Sequence, residues 1–514
     1  MSDPIVETYD VASLEAFTAD LVSVGFEPVP GTRRRRWRSE IHPAFAPLTE
    51  ATTMDLVLVD GWPYAPPALF VQGLNTNHYT LDGLVCMWRE GDASLDWVTV
   101  EGLSTRIGKW CRDAEQGWDT DDLGRDALLN FRQKDRMLAT FDLPAFRTAR
   151  GSWGDFHGTI HQEPWRIDLA PSRATAREHL AGLWFRTGRL GVPPRQLSEV
   201  RSCLSRAQWK GLERALATRR ASDPGAPSGG VDLILLCWDR GDQTEVLVIA
   251  CVGAGTEVEG VALQAAPKDE ENLILRAGPD AQALQGQRVV LFGAGALGGH
   301  VAVTLAESGA GFLRLVDSDV LAPGNVVRHV AGHGSVGAAK VRAVDAIVRS
   351  HAPWTEVECI EESPLRPSEI DALIADVDIV VDATGNAAAT YAVAARASLV
   401  GRPFVSGALH RGGRIGRVRR CARAEDTPLN QRDAPHYPLI PPDAEEDVAR
   451  AAVGCSAPVN NAPPSSVLAC SSVIVQGAID VLLERFELRD EVIDVYRPLP
   501  ENPPFDRIGR IFAA

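Results

Sequence analysis

RVVLFGAGALGGHVAVTLAESG, residues 288–309, decides the fold of the C-terminal part of the chain. RVVLF reads as a short buried strand, GAGALG as a turn, and ALGGHVAVTLAESG as a helix with apolar residues at helical spacing. Gly293, Gly295 and Gly298 sit where the strand becomes the helix. Missing side chains there let backbone N–H groups and the positive end of the helix approach a phosphate. Working outward, FLRLVDSD (312–319) reads as a strand, KVRAVDAIVRSH (340–351) as a helix, and DVDIVVDATG (376–385) and RPFVSGAL (402–409) as strands. Nearly continuous apolar strands alternating with helices predict a parallel sheet covered by helices, an α/β Rossmann-like fold.

A glycine pattern alone says little about the ligand; the residues behind it say more. Asp317, at the end of the second strand, is placed to bind ribose hydroxyls. Asp319, Asn325, Arg328 and Lys340 follow it closely, with more capacity to handle charge than a dinucleotide's diphosphate demands. A triphosphate does demand it, because cations must offset the β and γ phosphates and a departing pyrophosphate. An acid later in the fold is then expected to hold Mg2+. Asp382, at the end of VDIVVD, is expected in that role, which makes ATP and magnesium the predicted cofactors.

At 514 residues the chain should hold two to four domains. With 45% hydrophobic and 23% charged residues, it has the composition of a globular protein. A net charge of −16 argues against nucleic acid or an anionic membrane as main partner. MSDPIVETYD lacks the features of a secretory signal, and no segment is expected to span a bilayer, so a cytoplasmic protein is predicted. Nine cysteines without a CxxC pair make a zinc site or disulfide scaffold improbable.

Three domains are expected. Residues 1–124 read as α+β, with a helix over 11–25, short strands, and a second helix that packs Cys111. The run Arg33 to Arg36 reads as a solvated strand edge. Residues 125–265 read as a linker and small α/β module, an inactive adenylation-like fold being one reading of it. VDLILLCW and TEVLVIACV are its strand candidates, and SDPGAPSGG (222–230) is a loop. Residues 266–514 hold the nucleotide domain.

GAGALG, D-S-D, N-V-V-R, V-G-A-A-K and D-A-T-G-N occur in that order over about residues 286–485. In this the chain resembles the ThiF-type, E1-like enzymes that adenylate ubiquitin and related β-grasp proteins. The resemblance implies that Asp317 binds ribose, that Asn325, Arg328 and Lys340 contact phosphates, and that Asp382 holds magnesium. Asp319 would position the adenylate or the metal. The resemblance also implies that a cysteine captures the acyl group as a thioester. Cys455 has the right placement, in GCSAPVNNAPPSS ahead of the helix VLACSSVIVQGAIDVLL, whereas Cys470 inside that helix reads as packing. The family often supplies an arginine from before the first strand, sometimes from the other subunit of a dimer; Arg276 is the candidate here.

WPYAPPALFV, HYTLDGLVCMW and DWVTVEGL, in that order within residues 1–120, resemble the ubiquitin-conjugating (E2) fold. Cys86 matches its thiol, with Gly83 three residues ahead. The family's His-Pro-Asn triplet is missing, and His78 stands where its asparagine would be. His78 reads either as a hydrogen-bond donor or base, or as a structural loop residue. A conjugating domain followed by an adenylating one resembles bacterial fusion proteins of antiphage systems built around a cyclic-oligonucleotide synthase (CBASS), and the N-x-x-R-H form with His329 fits that group. The resemblance implies that the acyl donor is an exposed protein C-terminus, of the synthase or of a ubiquitin-like protein. The acceptor would be a lysine or other amine of a target, and the enzyme a homodimer. A sulfur-carrier adenylyltransferase would share the nucleotide motifs without needing Cys86, and a catalytically silent scaffold would merely keep the fold. A nicotinamide dehydrogenase leaves Arg328 and Lys340 unexplained.

Overall fold

The computed structural model describes residues 6–88, 94–118, 132–163, 165–173, 179–220, 226–240, 243–364, 366–449 and 459–512. The chain divides into two compact units, Met1–Asp269 and Glu270–Ala514.

The first unit opens with the helix Val11–Ser23, capped by the Asp10 carboxylate, which accepts the Ser13 N–H at 3.0 Å. Leu14, Phe17 and Leu21 bury its inner stripe. Strands β1 (Glu27–Pro28), β2 (Arg36–Glu40), β3 (Thr53–Val57), β4 (Ala68–Val71) and β5 (Leu84–Val85) form an antiparallel sheet in chain order. Period-two alternation puts Trp37 inward while Arg36 and Arg38 both reach Asp55 on β3, each at 2.7 Å. Part of the basic run is thus a cross-strand clamp, and its arginine hydrogen bonds hold Asp55 below the usual carboxylate range. The helix Val100–Gln116 buries Leu103, Ile107, Trp110 and Cys111; burial pushes the Cys111 thiol up to about 12, as suits a packing residue.

Downstream lie β6 (Arg132–Phe141), β7 (Trp153–His161), β8 (Arg166–Ala170), β9 (Leu180–Arg186), β10 (Leu233–Arg240), β11 (Gln243–Val252) and β12 (Glu259–Pro267). They close into a barrel in the order β10-β11-β12-β6-β8-β7-β9. This corrects the expectation of a small α/β module. Closure depends on parallel pairings between remote segments, such as Ala265 beside Ala139, which local periodicity cannot reveal. Six consecutive residues of β10, Leu233–Trp238, are buried. Leu233, Leu235 and Cys237 enter the barrel core, while Ile234, Leu236 and Trp238 join the core that holds Trp37 and Phe17. The break expected after residue 124 therefore separates no independent cores, whereas the break expected at 265 lies close to the boundary between the two units.

The second unit is built on β13 (Arg288–Phe292), β14 (Phe312–Val316), β15 (Glu356–Ile360), β16 (Ile379–Asp382), β17 (Phe404–His410) and β18 (Ile415–Cys421). A two-stranded ribbon follows, β19 (Val448–Ala449) with β20 (Val459–Asn460), then β21 (Glu491–Val495) and β22 (Gly509–Phe512). The main sheet runs β15-β14-β13-β16-β17-β18-β21-β22. The first five strands are parallel, as expected; β18, β21 and β22 add an antiparallel extension that the alternation did not announce. Helices Ala296–Glu307, Lys340–His351 and Pro464–Leu482 cover one face; Pro367–Ile374 and Ala387–Leu399 cover the other. Contrary to expectation, one described helix, Pro464–Leu482, is apolar and long enough to cross a bilayer, with mean hydropathy 1.6; it is 61% buried within the protein. The chain winds outward from β13 to β15 and returns to β16 on the other side of β13. That reversal leaves a crevice at the carboxyl ends of β13 and β16, where ligands of open α/β sheets bind.

Candidate nucleotide site

A cavity of about 530 Å³ opens at this crevice. Gly293, Gly295, Asp317, Asp319, Arg328 and Lys340 line it, so six of the residues singled out in the sequence meet at one place. The three glycines serve different ends. Gly293 has φ +89°, and a Cβ there would lie 2.8 Å from the backbone of Thr384. A Cβ on Gly298 would lie 1.7 Å from the Gly293 carbonyl oxygen. A Cβ on Gly295, which begins the helix Ala296–Glu307, would meet nothing within 4 Å. Two glycines are therefore needed by the turn itself, and the third leaves free space above a helix N-terminus.

Asp317 holds the turn from the next strand. Its carboxylate accepts the Ala294 and Asp319 N–H groups, each at 2.8 Å, and keeps further lone pairs able to accept from a hydroxyl. His329 holds the turn from behind. The Ala331 N–H donates to its Nδ1 at 3.0 Å, so the proton sits on Nε2 and is donated to the Ala294 carbonyl at 2.8 Å. Burial pushes this imidazole below its ordinary range, which favours the neutral form those two bonds require.

Lys340 lies 2.6 Å from Asp319; its side chain is 13% exposed, that of Asp319 68%. A sheltered ammonium with a solvent-exposed partner can exchange that partner for a phosphate. Arg328 lines the cavity and donates from Nη1 to the Asn460 carbonyl at 2.5 Å. Asn325 does not line the cavity; its side-chain oxygen accepts the Ala322 N–H at 3.0 Å, closing a local turn. That cap shapes the loop before Arg328. Arg276 is exposed and does not line the cavity.

The open glycine, the two cations and the Asp317 carboxylate suit a nucleoside triphosphate. Magnesium on Asp382 does not fit: that carboxyl is 1% exposed, does not line the cavity, and is bonded by Thr384 and Thr390. No group of three or more metal-ligating side chains occurs among the described residues.

Sequence reasoning missed several residues of the cavity wall. Ser318 and Ser363 share a hydrogen bond of 2.7 Å and line it together with Glu362. Thr384 lies in D-A-T-G-N, where the acid had taken the attention. Asn460 had no signal of its own, since no motif includes it.

Cys455 lies outside the described residues. Cys470 is buried in the helix Pro464–Leu482 and pushed up to about 12 by burial, in keeping with packing. Cys86, half-buried, follows β5, and its N–H donates to the His78 carbonyl at 2.8 Å. The structure thus brings the two together through the main chain. His78 has φ +54°, and its ring lies 4.3 Å from that of Trp118, tilted by 56°. Its neighbour Asn77 is buried, with its amide donating to the Gly191 carbonyl at 3.1 Å.

Residues 270–489 match the ThiF family. Protein y4oA of Sinorhizobium fredii is 35% identical over 159 residues, 28% of this chain and 26% of y4oA. The probable adenylyltransferase/sulfurtransferase MoeZ of Mycobacterium tuberculosis is 30% identical over 218 residues, 42% of this chain and 54% of MoeZ. The crystal structure of E. coli MccB with ATP aligns at 15% identity over 45% of this chain and 64% of MccB, with a TM-score of 0.35. The matched part of this chain spans 26% of the length of y4oA and 54% of that of MoeZ. The second unit is similar to ThiF/MoeB-like adenylation domains.

Proposed function

We propose that this protein adenylates the C-terminal carboxylate of a partner protein and relays the acyl group as a thioester from Cys455 to Cys86. Cys86 then gives it to a lysine or other amine of a target. The observation that carries the first step is the cavity where Gly295 leaves free space between Asp317, Arg328 and Lys340. A carboxylate oxygen attacks the α phosphorus of ATP, the bond to the β-phosphate bridging oxygen breaks, and pyrophosphate leaves with its charge met by Arg328 and Lys340. A thiolate then attacks the acyl carbonyl and AMP departs.

Two observations support the relay. Arg328 grips the carbonyl of Asn460, five residues after Cys455, which ties that segment's downstream end to the cation expected at the phosphates. In the first unit Cys86 stands at the end of an antiparallel sheet flanked by the helices Val11–Ser23 and Val100–Gln116, an arrangement compatible with a conjugating domain. Joining both thiols in one chain raises the effective concentration for the handover. We take the acyl donor to be a cyclic-oligonucleotide synthase or a ubiquitin-like protein, the setting antiphage defence in the cytoplasm, and the working form a homodimer. A second reading, sulfur-carrier adenylation, is favoured by the similarity to MoeZ and makes no use of Cys86.

The test is to mix the chain with ATP, magnesium chloride and the synthase, then look on a non-reducing gel for an adduct that thiol reagents release. The relay predicts an adduct held on Cys455 in Cys86→Ala and none in Cys455→Ala. An adduct that survives in the double variant overturns the thiol assignments. Conversion of the donor to a thiocarboxylate supports the sulfur-carrier reading instead.

A further inference from the structure

Asp382 ends β16 directly beside Phe292, the residue that leads into the glycine turn. One of its oxygens accepts the Thr384 hydroxyl at 2.8 Å and the Thr384 N–H at 3.4 Å. The other accepts the Thr390 hydroxyl, from the helix Ala387–Leu399, at 2.5 Å. Beside it in register, Ser406 on β17 is 0% exposed. A divalent ion wants accessible, ionised oxygens and room for its waters. This carboxyl is enclosed instead by the groups it holds.

What it holds is part of the cavity. Thr384 lines it, and the backbone of Thr384 sits so close to Gly293 that a single Cβ would collide with it. The turn from 383 to 386 presents Thr384, Gly385 and Asn386 to the cavity, none of them an acid. We propose that Asp382 is a positioning residue: through Thr384 and Thr390 it fixes the 383–386 turn against the glycine turn, and it does not ligate magnesium. The triphosphate's charge is met here by Arg328 and Lys340. This inference rests on the reading of the cavity as an ATP site.

The full-length chain allows the two to be separated. ATP binding is measured by calorimetry once in EDTA and once in magnesium chloride, and Mn2+ binding by electron paramagnetic resonance with AMPCPP present. Asp382→Asn keeps the shape but removes the charge and turns one acceptor oxygen into an NH2 donor; it should lower Mn2+ affinity by no more than about 100-fold, the range for a partner outside the metal shell. Asp382→Ala and Thr390→Val should weaken ATP about tenfold, equally in EDTA and in magnesium, since a buried partner is lost in both. If Asp382→Ala fails to fold, as read by its melting temperature, the asparagine and valine variants decide. A loss of Mn2+ affinity beyond about 100-fold for Asp382→Asn, more than an outer-shell partner accounts for, with ATP binding in EDTA intact, shows a metal ligand and overturns the proposal. Unchanged ATP binding in both Asp382→Ala and Thr390→Val also overturns it. A parent chain that binds no ATP in either buffer sinks the ATP reading itself, and is distinguishable from both.

Discussion

Gly295 and Gly298 stand three residues apart and are glycine for opposite reasons, which makes alanine a sharp probe. A Cβ on Gly298 would overlap the Gly293 carbonyl at 1.7 Å, so Gly298→Ala should lower the denaturation midpoint and abolish ATP binding together. Gly295 has φ −81° and no neighbour for its Cβ, so Gly295→Ala should fold with an unchanged midpoint yet lose ATP affinity by calorimetry. Equal stability loss in both would show that the space above Gly295 is not kept for a ligand. His410 is pushed down to about 4 by burial and by the neighbouring Arg417 and Arg419 charges, with Asp443 opposing. A folded pKa below the ordinary 6.5 means that the unfolded chain takes the proton first, so stability is full above about pH 6.5 and lost as pH falls toward 4. His410→Gln should flatten the melting temperature against pH across that window relative to the parent. The same residue scale marks where reading the sequence stopped. Asp317, Arg328 and Lys340 were legible because they follow one glycine turn on consecutive elements. Asn325 and Asp382 were legible only as candidates, because a carboxyl or amide that caps its own turn is written with the same letters as one that holds a ligand.

Between elements, the parallel core was legible wherever strands are apolar throughout, as in β13 and β16, since burial on both faces leaves a continuous run. β18 was not legible because RVRRC holds three arginines in five residues, which reads as a surface segment. Its arginines are in fact engaged: Arg417 pairs with Glu491 at 3.0 Å and Arg420 with Asp426 at 2.8 Å. β17 is joined to the helix Pro464–Leu482 at Gly407, where a Cβ would fall 2.2 Å from Ile474. Gly407→Val should therefore overpack that contact, costing about 1–3 kcal/mol in urea denaturation. Ile474→Ala introduced with it should recover part of the loss by making room. Simple addition of the two losses would mean that the helix and the strand do not share this contact.

At the scale of the whole molecule, legibility followed sequence distance. The nucleotide unit emerged from short βα steps, each visible within a window of some thirty residues. The barrel did not, since its closure places Leu233 beside Gly182 and Ala265 beside Ala139 across stretches with no period linking them. The divide at 269/270 leads to a last prediction. Every residue lining the cavity, and every member of the cores built on β13 to β22, comes from residues 270–514. A unit with its own complete core should fold alone. A fragment of residues 270–514 should unfold in urea as one transition and bind ATP within about threefold of the full chain, since 1.4 kcal/mol corresponds to a tenfold change and no cavity contact is removed. It should form no adduct that Cys86 is needed to receive. A fragment that folds but has lost ATP binding would show that the first unit completes the site, and would move the search for the missing group to residues 1–269.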